Sequence, residues 1–383
     1  MKNRSLYVLA LGIFGLATTE FGVVGILPQL AKAFNVSIDK AGWLISAFAL
    51  IVACFGPFVV LLTSRINRKK MMCIALLVFC IANVFSALAT SFTWMLIARM
   101  LPAFFHPVFW SIALTTAAGL VDQKDAPKAV SIVFGGFTIA CVLGTPLLSF
   151  VTNTDNWQAA FYLSAIINAL SLLGLYYSLP ASVHTEVRTT VNYASVLRAP
   201  ALWFNIVVSF FIISAMYCSY SYIADYMEKV LNVHGNMISI MLILFGVTGV
   251  IGNILAGKYM SKNSRATLLI FVLALIAVHL FLYFSDTALY VVVGLIALWG
   301  FIHTAGFVIS NINVTASSPA APEFLNSIFT SVGNFAVTMG ATAGGFWIKY
   351  FGVHNIVWGS IFFLCLAMAA VIIRTRIRPV INA

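Results

Sequence analysis

The chain contains two related copies of one sequence, displaced by 197 residues. Three segments return at this offset and in the same order: Ala31–Val36 as Glu228–Val233, Ser64–Arg68 as Ser261–Arg265, and Ala103–His106 as Gly300–His303. Each match is weak alone, but chance rarely produces three at one offset. The period is about half the chain, far too long for a solenoid repeat, so we infer that a whole half was duplicated.

Composition places both halves in a membrane. Hydrophobic residues make up 62% of the chain and charged residues 8%, and the mean hydropathy is +1.03. A chain of this kind cannot cover its apolar side chains in water. Twelve continuous apolar stretches are each long enough to cross a hydrocarbon core of about 30 Å as a helix. They lie near residues 6–30, 42–63, 71–89, 92–119, 129–151, 159–179, 201–224, 236–257, 267–284, 288–312, 324–348 and 353–373.

We therefore predict an all-α membrane protein with 12 transmembrane helices in two pseudo-symmetric six-helix halves. The halves would be residues 1–180 and 201–383, joined by a cytoplasmic linker at 181–200. Many secondary transporters are built from such repeats. The continuous apolar stretches do not show the alternating polarity of membrane barrel strands.

The positive charges predict the orientation. With the N-terminus inside the cell, 16 of the 21 Lys and Arg residues lie on the cytoplasmic side. This bias is typical of cytoplasmic loops, so both termini are expected in the cytoplasm. The net charge of +11 then reflects topology, and no nucleic-acid partner is predicted. The basic N-terminus resembles a signal peptide, but its apolar run is too long and contains Glu20, which favours a retained first helix.

Other functional classes find little support. A membrane-embedded enzyme would need clustered carboxylates, a nucleophile with its base, or metal ligands, and a receptor typically needs a signalling tail; the sequence shows none of these. Six cysteines are scattered without a Cys-x-x-Cys pair, so neither disulfides nor a metal site is predicted. They are Cys54, Cys73, Cys80, Cys141, Cys218 and Cys365. We expect no enzyme activity and no cofactor.

Two charged residues lie inside the predicted spans, Glu20 in span 1 and Arg99 in span 4. A charge near the bilayer centre costs at least about 2.5 to 3.5 kcal/mol, so both are expected to face protein or water. They lie roughly 15 and 10 Å from the outer ends of their spans, and could meet or share a cavity. Burial favours a protonated carboxyl and a guanidinium favours an ionised one, so this pair suits proton coupling. The alternative is a static ion pair.

The two copies differ at these positions. At the 197-residue offset Glu20 corresponds to Tyr217 and Arg99 to Ile296, so only the N-terminal half is expected to carry proton chemistry. The C-terminal half offers side chains that can hydrogen-bond and stack on a polar ligand. These are Tyr217, Tyr220 and Tyr222 in span 7, and Asn311 and Asn313 near the end of span 10. The tyrosines could instead form an interfacial aromatic belt.

Histidines supply further candidates. His106 follows Arg99 by seven residues and shares nearly the same helix face, and His303 is its repeat mate. Either could relay protons or bind substrate, or could be a packing residue. We expect His279 to be structural and Asp225 to be a solvated charge at the membrane rim.

Glycines concentrate in spans 5 and 11. No Lys-Ser or Lys-Thr follows them, so they do not predict a nucleotide-binding loop. They are expected to let helices pack closely and slide, with Pro146 adding a kink. The residues are Gly135, Gly136, Gly144, Gly340, Gly344 and Gly345.

Over its entire length the chain resembles the major facilitator superfamily. The resemblance implies two bundles that alternate around a central cavity lined by spans 1, 4, 7 and 10, which places Glu20, Arg99, His106, Tyr217 and His303 in lining helices. The segment Arg65–Lys69 resembles the loop that clamps the halves, and Gly144–Pro146 the span-five motif of antiporters. Gating roles are therefore implied for Arg65, Arg68, Lys69, Gly144 and Pro146.

A narrower resemblance is to bacterial drug:proton antiporters that include sugar-efflux transporters for arabinose-like compounds. It rests on Thr18–Phe21 (TTEF), Gly25–Pro28 (GILP), Ala103–Ser111 (AFFHPVFWS) and Tyr220–Ile223 (YSYI). Glu20 matches the acid of the first span in that group. The chain departs from the usual motifs at Ser64, Asn67, Pro102, Ala103, Leu148, Ser149 and Gln158.

These observations predict a monomeric antiporter of the bacterial inner membrane. It would export a small organic solute, such as a sugar or drug, against proton entry, with the proton gradient as its energy source. A purine nucleoside exporter, an uncoupled facilitator and a proton symporter for uptake remain alternatives. The sequence leaves the substrate and the stoichiometry open.

Overall fold

The fold is that of a computed structural model, which describes residues 2–63, 66–122, 126–152, 156–179, 196–284, 288–317 and 322–376. Every regular element within these ranges is helical. We number the spans in chain order. Spans 1 to 6 are Lys2–Ala33, Trp43–Thr63, Arg68–Ala87, Phe92–Gly119, Ala126–Val151 and Gln158–Ser178. Spans 7 to 12 are Pro200–Lys229, Asn236–Lys262, Ser264–Phe284, Leu289–Thr315, Pro322–Phe351 and Ile356–Arg376.

Eleven helices in the described part of the chain are long and apolar enough to cross a membrane. The predicted eleventh span, residues 324–348, falls within the 30-residue helix Pro322–Phe351, which is not one of those eleven. That helix carries many Gly, Ser, Thr and Asn residues among its apolar ones. All twelve predicted stretches thus coincide with helices.

The chain divides into two compact units. The first comprises Met1–Arg188 with Gly235–Leu242, and the second Thr189–His234 with Ile243–Ala383. The start of span 8 therefore groups with the first unit. Most of the predicted linker, up to residue 195, lies outside the described residues.

In the first unit, span 1 packs against spans 5 and 6, while span 3 packs against span 6 and span 2 against span 4. Span 1 is the central helix of this packing because its apolar side chains are buried on several faces. Its Leu9, Ile13 and Leu16 are fully buried and cluster with Phe79 of span 3 and Phe109 of span 4. The first helix of span 1, Lys2–Phe21, is consequently held on several sides.

In the second unit, span 7 has the corresponding role and packs against spans 10, 11 and 12. Small residues allow its close approach to span 11. A Cβ atom added at Gly340 would collide with the carbonyl oxygen of Ser214, and one at Gly344 with that of Cys218. This confirms the packing role expected for these two glycines.

The backbone repeats at the same offset as the sequence. Asn35 and Asn232 are the two non-glycine residues of the described chain with positive φ, at 49° and 54°, and they are 197 residues apart. Each follows a short helix, Leu27–Ala33 or Ile223–Lys229, that a break separates from the main helix of its span. Asparagine tolerates this left-handed conformation after a helix end. The two halves therefore share irregular backbone features as well as residues.

Adjacent glycines in span 5 provide a direct test of helix packing. A Cβ atom at Gly136 would collide with the carbonyl oxygen of Ala10, whereas one at Gly135 would have no neighbour within 4 Å. We expect Gly136→Ala to lower the free energy of unfolding by about 1 to 3 kcal/mol, because the span 1 backbone must move. The matched control Gly135→Ala should be neutral or stabilising by up to about 1 kcal/mol, since alanine favours helix. Thermal unfolding of both variants in detergent checks this, and equal melting temperatures would contradict it.

Candidate functional site

The site is built around a break in span 1. The α-helix ends at Phe21, and a 3-10 segment, Gly22–Ile26, connects it to the short helix Leu27–Ala33. Glu20 lies in the last turn before this break and is 8% exposed. Its Oε2 atom lies 3.2 Å from Nε2 of His106 in span 4. The buried carboxylate therefore lies within ion-pair distance of an imidazole.

His106 is held by aromatic packing. It begins the second helix of span 4, His106–Gly119. Pro107 follows it in the first turn, where a missing backbone N–H costs no hydrogen bond. The ring stacks on Trp110 at 5.9 Å between centroids and meets Phe48 edge-on at 6.0 Å. Within the described residues, neither ring nitrogen has an aligned hydrogen-bond partner. The ring is therefore held by aromatic packing, with the Glu20 carboxylate as its polar neighbour.

Arg99 binds the backbone of span 1 and span 2. Its Nη1 and Nη2 atoms each donate to the carbonyl oxygen of Thr19 at 3.2 Å, and Nη2 also donates to that of Glu20 at 3.3 Å. Its Nε donates to the carbonyl oxygen of Leu44 at 3.4 Å. The last carbonyl oxygens of an α-helix lack hydrogen-bond donors within the helix. At the break in span 1, Arg99 provides donors for two of them. The predicted meeting of Arg99 and Glu20 thus occurs through the backbone of Glu20, while the side-chain partner of Glu20 is His106.

The C-terminal half contains an uncharged counterpart of this cluster. Phe48, His106 and Trp110 correspond at the 197-residue offset to Phe245, His303 and Phe307. His303 lies 5.3 Å from Phe245 between ring centroids, as His106 lies 6.0 Å from Phe48. The position of Glu20 is taken by a tyrosine. The aromatic surroundings of the histidine are therefore present in both halves, and the carboxylate in one.

Two of the three predicted tyrosines belong to this second cluster. Tyr220 lies 5.0 Å from His303, and Tyr217 lies 6.0 Å from Phe307 and 5.7 Å from Tyr220. Tyr222 is different, because its hydroxyl donates to the carbonyl oxygen of Ala341 at 2.9 Å and its side chain is 1% exposed. Tyr217 and Tyr220 are thus placed together with His303, and Tyr222 bridges spans 7 and 11.

The predicted asparagines have hydrogen-bond partners of their own. Asn311 follows His303 by eight residues, which is roughly 12 Å along a helix. It donates to Oδ1 of Asn326 at 2.8 Å. Asn313 is buried and donates to the carbonyl oxygen of Asn205 at 3.3 Å, joining spans 7 and 10. Asn311 also follows Phe307 of the aromatic cluster by four residues, so it lies about one turn from that ring on the same helix face.

His279 and Asp225 have defined partners. His279 Nδ1 lies 2.8 Å from the carbonyl oxygen of Leu275, and Nε2 lies 2.9 Å from Oγ of Ser219. A neutral ring with its hydrogen on Nδ1 satisfies both contacts, which agrees with the structural role expected. Asp225 was expected to be solvated, but it is 1% exposed and forms an ion pair with Lys229 at 2.8 Å. Its burial follows from the packing of its short helix, Ile223–Lys229, against the segment before span 12.

The predicted gating residues all belong to the first unit. Arg65 lies outside the described residues, and Arg68 begins span 3. Lys69 donates to the carbonyl oxygen of Leu179 at 2.6 Å and lies over the ring of Tyr176. It thereby satisfies the C-terminal end of span 6.

Gly144 ends a π-helical turn, Ala140–Gly144, and Pro146 lies in the first turn of the helix that follows. A Cβ atom at Gly144 would lie 2.7 Å from Oγ1 of Thr18, so span 5 approaches span 1 closely here. Gating by these residues stays a prediction.

Sequence reasoning missed the Glu20 and His106 contact and the aromatic residues around it. The available signal was the repeat itself, because Phe48 and Trp110 have aromatic mates at the same offset as the histidines.

Comparison with known proteins assigns the family. The sequence profile of the Major Facilitator Superfamily matches residues 9–324 and, in a second match, residues 219–381. The chain belongs to the major facilitator superfamily. It is therefore a multi-pass membrane transporter rather than an enzyme, as predicted.

Relatives and solved structures agree with this assignment. The Inner membrane transport protein YdhP of Escherichia coli K12 is 30% identical over 346 residues, which cover 90% of this chain and 88% of that protein. A Probable sugar efflux transporter of Helicobacter pylori J99 is 27% identical over 351 residues, covering 92% and 90%.

Among structures, an inward-facing bacterial homolog of the human lysosomal transporter Spinster has a TM-score of 0.79 at 16% identity. That match covers 98% of this chain and 97% of that one. The nucleoside transporter NupG has a TM-score of 0.76 at 13% identity, covering 99% and 100%. Both likenesses confirm the predicted fold and nothing finer.

Proposed function

We propose that this transporter exports a small organic solute in exchange for protons. The observation that carries the proposal is the buried contact between Glu20 and His106. A carboxylate and an imidazole can both take up and release protons near physiological pH when their surroundings change. A carboxyl group inside the membrane is energetically costly, so its presence there favours a functional role.

In the proposed cycle, Glu20 exchanges a proton once per turnover. Protonation neutralises the carboxylate and removes its attraction for a charged His106, so the bond between spans 1 and 4 weakens. Release of the proton restores the ion pair. Alternating access would couple these two states to solute release and solute binding, and the resemblance to efflux transporters supports the outward direction.

The aromatic cluster of the C-terminal half is proposed to contribute to solute binding. Tyr217, Tyr220 and His303 offer ring faces and hydrogen-bonding groups without a carboxylate among them. Ring faces pack on the apolar faces of sugars or flat drug-like molecules, and the polar atoms orient them. The similarity to a protein described as a probable sugar efflux transporter supports a sugar-like solute.

Transport in proteoliposomes with an imposed pH gradient tests the proposal. Vesicles are loaded with a labelled pentose, nucleoside or cationic drug and transferred to acidic or to alkaline medium. We expect solute efflux to accelerate in acidic medium, because protons then enter as solute leaves. Acceleration in alkaline medium would show symport, and equal rates in both media would show an uncoupled facilitator.

A further inference from the structure

The residue before the carboxylate, Thr19, forms hydrogen bonds with several spans. The Thr19 hydroxyl donates to the carbonyl oxygen of Gly15 at 2.9 Å. It accepts from Nδ2 of Asn83 in span 3 and from Nδ2 of Asn168 in span 6, both at 3.1 Å. The Thr19 carbonyl oxygen accepts both terminal nitrogens of Arg99 in span 4. Thr19 is therefore tied to three neighbouring spans.

These contacts use the full capacity of the hydroxyl. A threonine hydroxyl offers one donor and two acceptor positions, and all three are occupied. The two asparagines are themselves anchored, because Asn83 also donates to the carbonyl oxygen of Phe79 and Asn168 to that of Ser164. The four side chains of this polar node, Thr19, Asn83, Arg99 and Asn168, are each at most 4% exposed. Water does not compete for these bonds.

The polar node lies where it can orient the carboxylate. Successive residues of an α-helix point about 100° apart, so span 1 can present Thr19 to spans 3 and 6 and Glu20 to His106. Beyond Phe21 the backbone changes to the 3-10 form. The node therefore anchors the final turn of the α-helix that carries Glu20, next to the segment with the least regular backbone.

The second half of the chain lacks the node. At the 197-residue offset, Thr19, Asn83, Arg99 and Asn168 correspond to Met216, Leu280, Ile296 and Cys365. In that half, spans 7 and 9 are joined by the Ser219 and His279 hydrogen bond instead. A six-helix unit of this design thus folds without the polar node. The node occurs in the copy that has the carboxylate, which favours a role in orienting that group.

We propose that Thr19, held by Asn83 and Asn168, is a positioning residue that keeps Glu20 in contact with His106 and so sets the pH at which Glu20 exchanges its proton. The inference rests on the proposed function for its meaning in transport. The geometric claim concerns the protonation of Glu20 itself, which can be measured without transport.

The test compares Thr19→Val with Thr19→Ser. Valine has the shape of threonine without the hydroxyl, and serine keeps the hydroxyl. The protonation of Glu20 is followed by an infrared pH titration of the carboxyl band that is absent from Glu20→Gln. The charged or titratable groups near the carboxylate are His106 and Arg99 of span 4 and the Cys141 thiol of span 5. We expect Thr19→Val to raise the midpoint by about one pH unit, because a looser carboxylate moves away from His106 while Arg99 keeps its bonds to the backbone. Thr19→Ser should keep the wild-type midpoint.

A second variant allows the same measurement if Thr19→Val fails to fold. Asn83→Leu introduces the residue found at the repeat position and leaves Asn168 in place, so we expect a smaller shift in the same direction. An unchanged midpoint in Thr19→Val, or equal shifts in Thr19→Val and Thr19→Ser, would overturn the inference. If the midpoints move as expected while solute flux ignores the pH gradient, the proposed function fails and the positioning role stands.

Discussion

Replacing Glu20 with Gln is expected to abolish solute movement driven by a pH gradient while leaving solute binding intact. Glutamine has nearly the same shape, but it can neither release a proton nor form an ion pair with His106. Gradient-driven flux in proteoliposomes should therefore fall to the level of protein-free vesicles. Exchange of labelled for unlabelled solute at equal pH should persist, because it needs no net proton transfer.

A matched control separates this effect from a general loss of charge. Asp39 lies in the short helix Ile38–Ala41, outside spans 1 and 2. Asp39→Asn removes the same charge there and should transport normally. Undiminished gradient-driven flux in Glu20→Gln would exclude Glu20 as the coupling group. Loss of exchange at equal pH would instead indicate damage to solute binding.

Replacing Arg99 with Ala is expected to give the largest loss of stability. Arg99 is 3% exposed and donates to the carbonyl oxygens of Thr19, Glu20 and Leu44. Hydrogen bonds from a charged donor contribute about 1.5 to 3 kcal/mol each, and the buried carbonyls would lose their partner. We expect the free energy of unfolding to fall by about 3 to 6 kcal/mol, measured by denaturant or thermal unfolding in detergent.

Arg99→Lys is the matched variant for this experiment. Lysine keeps the positive charge but lacks the planar fork that reaches several acceptors at once. Its stability should lie between those of wild type and Arg99→Ala. If Arg99→Ala unfolds like the wild type, the guanidinium does not support the break in span 1.

Much of the fold was predictable because it depends on properties of single segments. Each apolar stretch became a helix, including 324–348 within Pro322–Phe351. The duplication was readable because Asn35 and Asn232, and His106 and His303, keep their spacing. By contrast, the grouping of Tyr222 and Asn311 with Tyr217 depends only on residue type and on the span that carries each residue. Their directions depend on helix rotation, and the structure gives them separate partners.

The sequence alone determined that the chain is a duplicated bundle of membrane helices with one carboxylate and one guanidinium deep in its N-terminal half. Hydropathy and charge decide these features segment by segment. Only the tertiary structure decided that Glu20 contacts His106 while Arg99 binds the backbone carbonyls at the break in span 1. A contact of 3.2 Å between residues 86 positions apart depends on the rotation of two helices and on where one of them leaves the α form. A shift of one residue turns a side chain by about 100°, so spacing along the chain could not choose between the two partners.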